Sequence, residues 1–358
     1  MKTFHCDRCG QQVFFENVRC ERCGGMLGYQ PEVRAISTFE PAGDNIWRSL
    51  NPANESRLYR QCVNYARENV CNWMIPAEAE DALCASCQLT HVIPALSSAQ
   101  NKLFWQRLEA AKRRLLYTLW DLKLRPPSKA MDPDGGLAFE FLEDMPDKQV
   151  MTGHSNGLIT LNIAEADPAH REKTREQMHE PYRTLLGHFR HESGHYYFDR
   201  LVDGTPWLEP YRELFGDERA DYGESLNRHY EQGPPPDWEQ RYISSYASSH
   251  PWEDWAETWA HFLHMVDTLD TAYWCGLTAR PKKAGEPELD IPGRPHRNHD
   301  FDEVMRDWFA LTYVLNSLNR SIGMPDAYPF ALSPTVIDKL RFIHHVIMEK
   351  QKAPRPPD

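Results

Sequence analysis

The sequence predicts an α+β fold behind a cysteine-rich metal-binding region. Three observations carry that expectation: paired Cys-x-x-Cys turns at the start, two short alternating segments near residues 140 and 160, and long stretches of helical periodicity elsewhere. At 358 residues the chain exceeds one average domain, which fits one sizeable unit and a smaller one. Hydrophobic residues make up 41% and charged residues 26%, enough apolar surface for a core and too little charge for global disorder. A net charge of −12 disfavours broad attraction to nucleic acid or anionic membranes. No apolar run reaches the roughly 18 to 20 residues that span a bilayer, and the opening Met-Lys-Thr-Phe-His-Cys lacks the apolar stretch of a signal peptide. A cytoplasmic protein is expected, with its nine cysteines serving metal ligation rather than disulfides.

Taken in order, residues 1–30 read as a zinc ribbon. Cys6-Asp-Arg-Cys9 and Cys20-Glu-Arg-Cys23 can face each other and offer four thiolates to one Zn²⁺, and Gly24-Gly25 permits the tight turn. Residues 31–95 form a connecting region with a second cluster, Cys62, Cys71, Cys84 and Cys87, which is a candidate second structural zinc site, with His91 as a substitute ligand. Cys275 reads as a packed core residue. The catalytic unit is expected over 96–350. Its first helix runs from Ser97 to Lys123 on the apolar pattern Leu103, Trp105, Leu108, Leu115, Leu116, Leu119 and Leu122, with Lys112, Arg113 and Arg114 on a solvated face. Alternation predicts strands over 137–143 and 157–163. Helices are expected over about 180–201, 217–230, 251–266, 302–315 and 333–350, with Gly233-Pro-Pro-Pro as a break and 351–358 as a mobile tail.

The chemistry concentrates in His188-Phe-Arg-His191-Glu192-Ser-Gly-His195, inside a helical pattern. Histidines at i and i+4 share one helix face and can converge on a single ion, and Glu192 beside them can take a proton from an activated water. The spacing points to a zincin-like domain: a small twisted sheet over an active-site helix, with a helical lower half and the strand at 157–163 as the edge strand of the cleft. A third histidine at the sixth position after the motif is absent, because position 201 is Leu and position 198 is Phe where Gly is required. The third ligand is then a downstream Glu, either Glu218 in Asp217-Glu218-Arg-Ala-Asp221 or Glu253 in His250-Pro-Trp-Glu253-Asp-Trp-Ala-Glu257. Glu253 is favoured, because Glu253, Glu257, His261 and His264 fall on one helical stripe and Trp252, Trp255, Trp259 and Phe262 on another suited to the core. Glu257 then sits one turn behind the ligand, and Asp217, Glu218 and Asp221 are candidate acceptors for the distal histidine nitrogens. Tyr246, seven residues before Glu253, can donate to an oxyanion. His188 and His250 read as structural neighbours.

These motifs resemble a bacterial family of zinc-binding metallopeptidases that joins an N-terminal zinc ribbon to a gluzincin-like domain. The likeness is carried by the double Cys-x-x-Cys start, the stretch 157–167, the block from Pro181 to Phe198, Phe215 to Tyr222, and Tyr246 through His264. The spacing of Tyr246 and Glu253 is also similar to that of lethal-factor and titration-factor peptidases. That likeness implies an oxyanion role for Tyr246 and a ligand role for Glu253, with Asp254 departing from their usual aromatic. The implied activity is hydrolysis of a peptide or protein substrate with one catalytic zinc and one or two structural zincs. A protein partner at the ribbon is a further implication. The competing reading is a zinc-ribbon module that binds protein or nucleic acid and carries a non-catalytic zincin domain.

Overall fold

The computed structural model describes residues 1–54, 57–178 and 180–352. The end of the expected mobile tail, 353–358, lies outside the described residues. The chain begins with a hairpin of β1 (Phe4–His5) and β2 (Gln12–Val13). An antiparallel meander follows in sequence order: β3 (Met26–Gln30), β4 (Ala35–Gly43), β5 (Ile46–Ser49), β6 (Leu58–Gln61), the short α1 (Val63–Ala66) and β7 (Met74–Pro76). Residues 31–95, expected only as a connecting region, carry most of this five-stranded sheet. Within the first knuckles the amides of Gly10 and Gly24 donate to the carbonyls of Cys6 and Cys20 at 2.9 and 2.8 Å, closing each turn around its cysteines.

The second unit contains β8 (Thr90–Val92), α2 (Ala99–Asp121), β9 (Ala138–Leu142), β10 (Gly153–Ser155) and β11 (Leu158–Asn162). Helices follow as α3 (Pro168–Gln177), α4 (Leu185–Leu201), α5 (Leu208–Phe215), α6 (Tyr222–Gln232), α7 (Trp238–Arg241) and α8 (Pro251–Trp274). The small pair β12 (Thr278–Ala279) and β13 (Leu289–Asp290) then leads to α9 (Phe301–Ser321) and α10 (Pro334–Lys352). Its sheet has the order β10-β11-β9-β8, with β8, β9 and β11 parallel and β10 antiparallel at the edge. Phe139, Phe141, Ile159 and Leu161 are buried from alternate positions of β9 and β11, and Phe139 meets Phe189 of α4 with centroids 5.6 Å apart. The expected edge strand at 157–163 is therefore corrected. Asn156 and Gly157, at φ 48° and 75°, form a two-residue hairpin turn that folds β10 back along its outer side.

Helix α2 starts where Ser98 accepts from the Gln100 amide. Its expected solvated face is corrected too: Lys112 and Arg113 are buried, Lys112 against Glu109 at 3.0 Å and Arg113 donating to the Val70 carbonyl at 2.7 Å, while Arg114 stays partly exposed. Cys275 is exposed rather than packed, because it caps the end of α8. Helix α4 is capped by Thr184, which accepts from the Gly187 amide at 3.0 Å, and α8 by His250 with Pro251 in its first turn. These two helices pack closely. A Cβ on Gly194 would stand 2.9 Å from the Ala256 Cα, so the glycine permits the approach. Trp255 Nε1 donates to the Gly194 carbonyl at 2.8 Å and Trp259 Nε1 to Ser193 Oγ at 3.1 Å, fixing the register between the helices. Among the described residues no helix is long and apolar enough to cross a membrane.

Candidate metal centre

The packing of α4 on α8 brings His191, His195 and Glu253 together, with their donor atoms within 4.8 Å of one another. Glu253 Oε2 lies 3.0 Å from His191 Nε2 and 3.5 Å from His195 Nε2. Ligands held at about 2.0–2.1 Å around a tetrahedral Zn²⁺ are about 3.3–3.4 Å apart, so both separations from Glu253 Oε2 are close to those of a zinc donor set. Glu253 Oε2 and Glu192 Oε2 are buried without hydrogen-bond partners among the described residues, an arrangement that a bound cation and its water would satisfy. Burial disfavours a charged His191, but the carboxylates of Glu253 and Glu257 beside it hold its pKa well above the usual imidazole value. Burial likewise opposes the Glu253 carboxylate, and the two histidines overcome it, holding its pKa well below the ordinary range. The pocket is built for a positive charge.

The surrounding groups orient this set. His191 Nδ1 donates to Glu257 Oε1 at 2.7 Å, and Ser244 Oγ donates to Glu257 Oε2 at 2.7 Å. Trp252 is not in the core with Trp255, Trp259 and Phe262. It is only partly buried, and its ring covers His195 at a centroid distance of 3.9 Å. The Tyr246 ring lies 6.0 Å from that of His191, and burial followed by the charge of Glu253 raises its pKa well above the usual phenol value. The structure does not bring Asp217, Glu218 and Asp221 to the histidines. Asp217 pairs with Arg219 at 2.7 Å, Glu218 pairs with Arg212 at 2.5 Å, and Asp221 caps α6 by accepting from the Glu224 amide at 2.8 Å. Their neighbours in the loop capture them locally. His188 pairs with Glu165 at 3.2 Å. Two residues outside the sequence reading enter the site. Tyr222 donates to Glu253 Oε1 at 2.6 Å, and His154 of β10 stands beside His195 with ring centroids 6.3 Å apart. Tyr222 directly follows the acidic segment, and His154 precedes an Asn-Gly pair, a hairpin signal in the chain itself.

Both cysteine groups are assembled: Cys6, Cys9, Cys20 and Cys23 in one, and Cys62, Cys71, Cys84 and Cys87, all buried, in the other. Sulfur separations are 3.6 Å for Cys6 and Cys23, 3.7 Å for Cys9 and Cys20, and 3.7 Å for Cys71 and Cys84. A Zn–S distance of about 2.3 Å sets tetrahedral edges of about 3.8 Å, whereas a disulfide would need about 2.05 Å. His91 is not a ligand, being exposed and 3.7 Å from Glu140. A fourth group, Asp121, Asp270 and His296, also clusters. There Arg34 and Arg294 already neutralise Asp121, and Arg294 reaches Asp270 at 3.2 Å, so the group is an ion-pair junction rather than a metal site.

Two imidazoles and a carboxylate on packed helices, with Glu192 Oε2 buried and without a partner among the described residues, make this a candidate metal centre. The chain belongs to the family described as "Putative zinc-binding metallo-peptidase", whose profile matches residues 101–346, and a zinc-ribbon domain profile matches residues 3–98. It is 43% identical over 350 residues to uncharacterized proteins of Mycobacterium bovis and of two Mycobacterium tuberculosis strains, covering 98% of this chain and 96% of each of theirs. No solved structure matches it.

Proposed function

We propose that the protein is a zinc-dependent peptidase acting on peptide bonds of a peptide or protein substrate. The observation that carries this reading is the convergence of His191, His195 and Glu253 beside a Glu192 oxygen that has no partner among the described residues. The two Nε2 atoms and Glu253 Oε2 would hold the metal. Zinc bound there supplies a Lewis acid for the scissile carbonyl and lowers the pKa of a water. Glu192 takes the proton of that water and returns it to the leaving amine. Tyr246, kept protonated by burial and by the charge of Glu253, donates to the developing oxyanion. The cysteine groups serve as one or two structural zinc sites, and the ribbon offers a platform for a protein partner. Thiols free of disulfides, as in all nine cysteines, fit a reducing, cytoplasmic setting.

Cleavage of a peptide library by zinc-loaded wild type and Glu192→Gln tests the reading. The variant is expected to keep its zinc and lose activity by about 100- to 10,000-fold. Cleavage that survives in Glu192→Gln removes Glu192 as the base. Metal content unchanged by His191→Ala would sink the catalytic reading and leave the binding-module alternative.

A further inference from the structure

Helix α6 lies almost entirely at the surface. Only Ser225 among its residues is buried, and it is bounded by Gly216 upstream and Gly233-Pro234-Pro235-Pro236 downstream. The start of this solvent-washed helix is nevertheless tied to the metal centre. His250 accepts from the Trp252 amide through Nδ1 at 3.1 Å, which leaves the proton on Nε2, and Nε2 donates to the Ala220 carbonyl at 3.0 Å. One imidazole therefore caps α8 and anchors the strand of chain that leads into α6. Two residues later, Tyr222 sets its ring edge-on to His250 and Trp252, with centroids 5.2 and 5.9 Å away, and donates its hydroxyl to Glu253 Oε1.

The two oxygens of Glu253 thus have separate partners. Oε2 faces both histidine Nε2 atoms, while Oε1 is taken by the phenol at 2.6 Å. A carboxylate is free to rotate about its last torsion and can bind a metal through one oxygen or two. A donor fixed on one oxygen removes that freedom. We propose that Tyr222 is a positioning residue for Glu253: its hydroxyl holds Oε1 so that Oε2 alone is presented to the metal, and α6 delivers that hydroxyl. This rests on the reading of His191, His195 and Glu253 as the zinc ligands.

The test uses the full chain with its cysteine-bound zinc retained as the sign of correct folding. Affinity at the third metal site is measured by competition with a chromogenic chelator for wild type and Tyr222→Phe, and visible spectra are recorded with Co²⁺ in that site. The expected result is metal binding weakened by about 10- to 100-fold and a cobalt spectrum altered in intensity, as Glu253 changes its mode of coordination. Should Tyr222→Phe lose its cysteine-bound zinc, Tyr222→Leu takes its place in the same comparison. Equal affinity and an unchanged cobalt spectrum in the folded variant overturn the role of Tyr222 while leaving the ligand set standing. Wild type that binds no metal beyond the cysteine sites overturns the ligand set itself, and the proposal with it.

Discussion

The His191 imidazole meets carboxylates at both nitrogens, and both come from one helix: Glu253 toward Nε2 and, one turn on, Glu257 at Nδ1. Burial pushes the Glu257 pKa up, yet its bond to His191 brings it down to about 2, so it stays an anion and keeps the proton on Nδ1. Glu257→Gln preserves the shape and removes the charge. The expected outcome is zinc affinity reduced about 10- to 100-fold with the cysteine-bound metal untouched, checked by chelator competition; unchanged affinity would show that Ser244 and packing suffice to orient the ring. The residues of this site were legible where the helix itself sets their spacing. His191 and His195, like Glu253 and Glu257, stand four apart and so share a face whatever the tertiary structure. Asp217, Glu218 and Asp221 were not legible in the same way, since a loop carboxylate goes to whichever donor is nearest, here Arg219, Arg212 and a helix amide. Tyr222 was hidden because its partner lies 31 residues along the chain on another helix.

Helices α4 and α8 hold the ligands only as well as they hold each other. Gly194→Ala places a methyl group 2.9 Å from the Ala256 Cα and 3.2 Å from Trp259 Cδ1, and overpacking of this kind costs about 1–3 kcal/mol. The helices must separate, carrying Glu253 away from His191 and His195. Thermal unfolding and zinc binding are therefore expected to weaken together, and loss of stability with full zinc affinity would contradict the coupling. A second control is electrostatic. Glu165, just after β11, pairs with Arg183 at 2.8 Å and with His188 of α4 at 3.2 Å. Burial raises its pKa, but the bond to His188 and the charges of both partners pull it to about 2, below the ordinary 4.5. A depressed acid stabilises the fold above its unfolded pKa, and that stability drains away as pH falls from about 4.5 toward 2. Urea unfolding should show Glu165→Gln less stable than wild type by up to about 3 kcal/mol at neutral pH, the gap closing through that window; a constant gap would assign the loss to packing. The elements themselves were readable from periodicity, since Phe139, Phe141, Ile159 and Leu161 alternate and all point inward. The edge β10 escaped because three residues give too short a run to alternate, although Asn156-Gly157 announced the turn. The meander escaped because its residues were read only for their cysteines.

Across the whole molecule, the first helix of the metallopeptidase-family unit supplies the charge that meets the second cysteine group. Arg113 of α2 is 4% exposed, and its Nη1 donates to the carbonyl of Val70, the neighbour of Cys71. The carboxylate beside it, Glu109 Oε2, is 3.8 Å away and is shared with the buried Lys112 at 3.0 Å. Two cations therefore face one anion in a region closed to water, where an uncompensated ion costs several kcal/mol. Neutral thiols would leave that excess positive charge unanswered, whereas four thiolates on one Zn²⁺ form a formal dianion that supplies negative charge beside Arg113. Burial lowers the Arg113 pKa, but the charges of Cys71, Glu109, Cys87 and Cys84 more than offset it. Because α2 also packs on α4, the metal at Cys62, Cys71, Cys84 and Cys87 should stabilise the helix that bears His191 and His195. Arg113→Met keeps the apolar stem and deletes the charge. The expected outcome is faster loss of cysteine-bound zinc to a chelator together with a stability loss of about 3–5 kcal/mol, followed by metal release and by thermal unfolding. If zinc release is unchanged while stability falls, the arginine serves packing alone, and the ribbon and metallopeptidase-family units are joined by apolar contact rather than by the metal's charge.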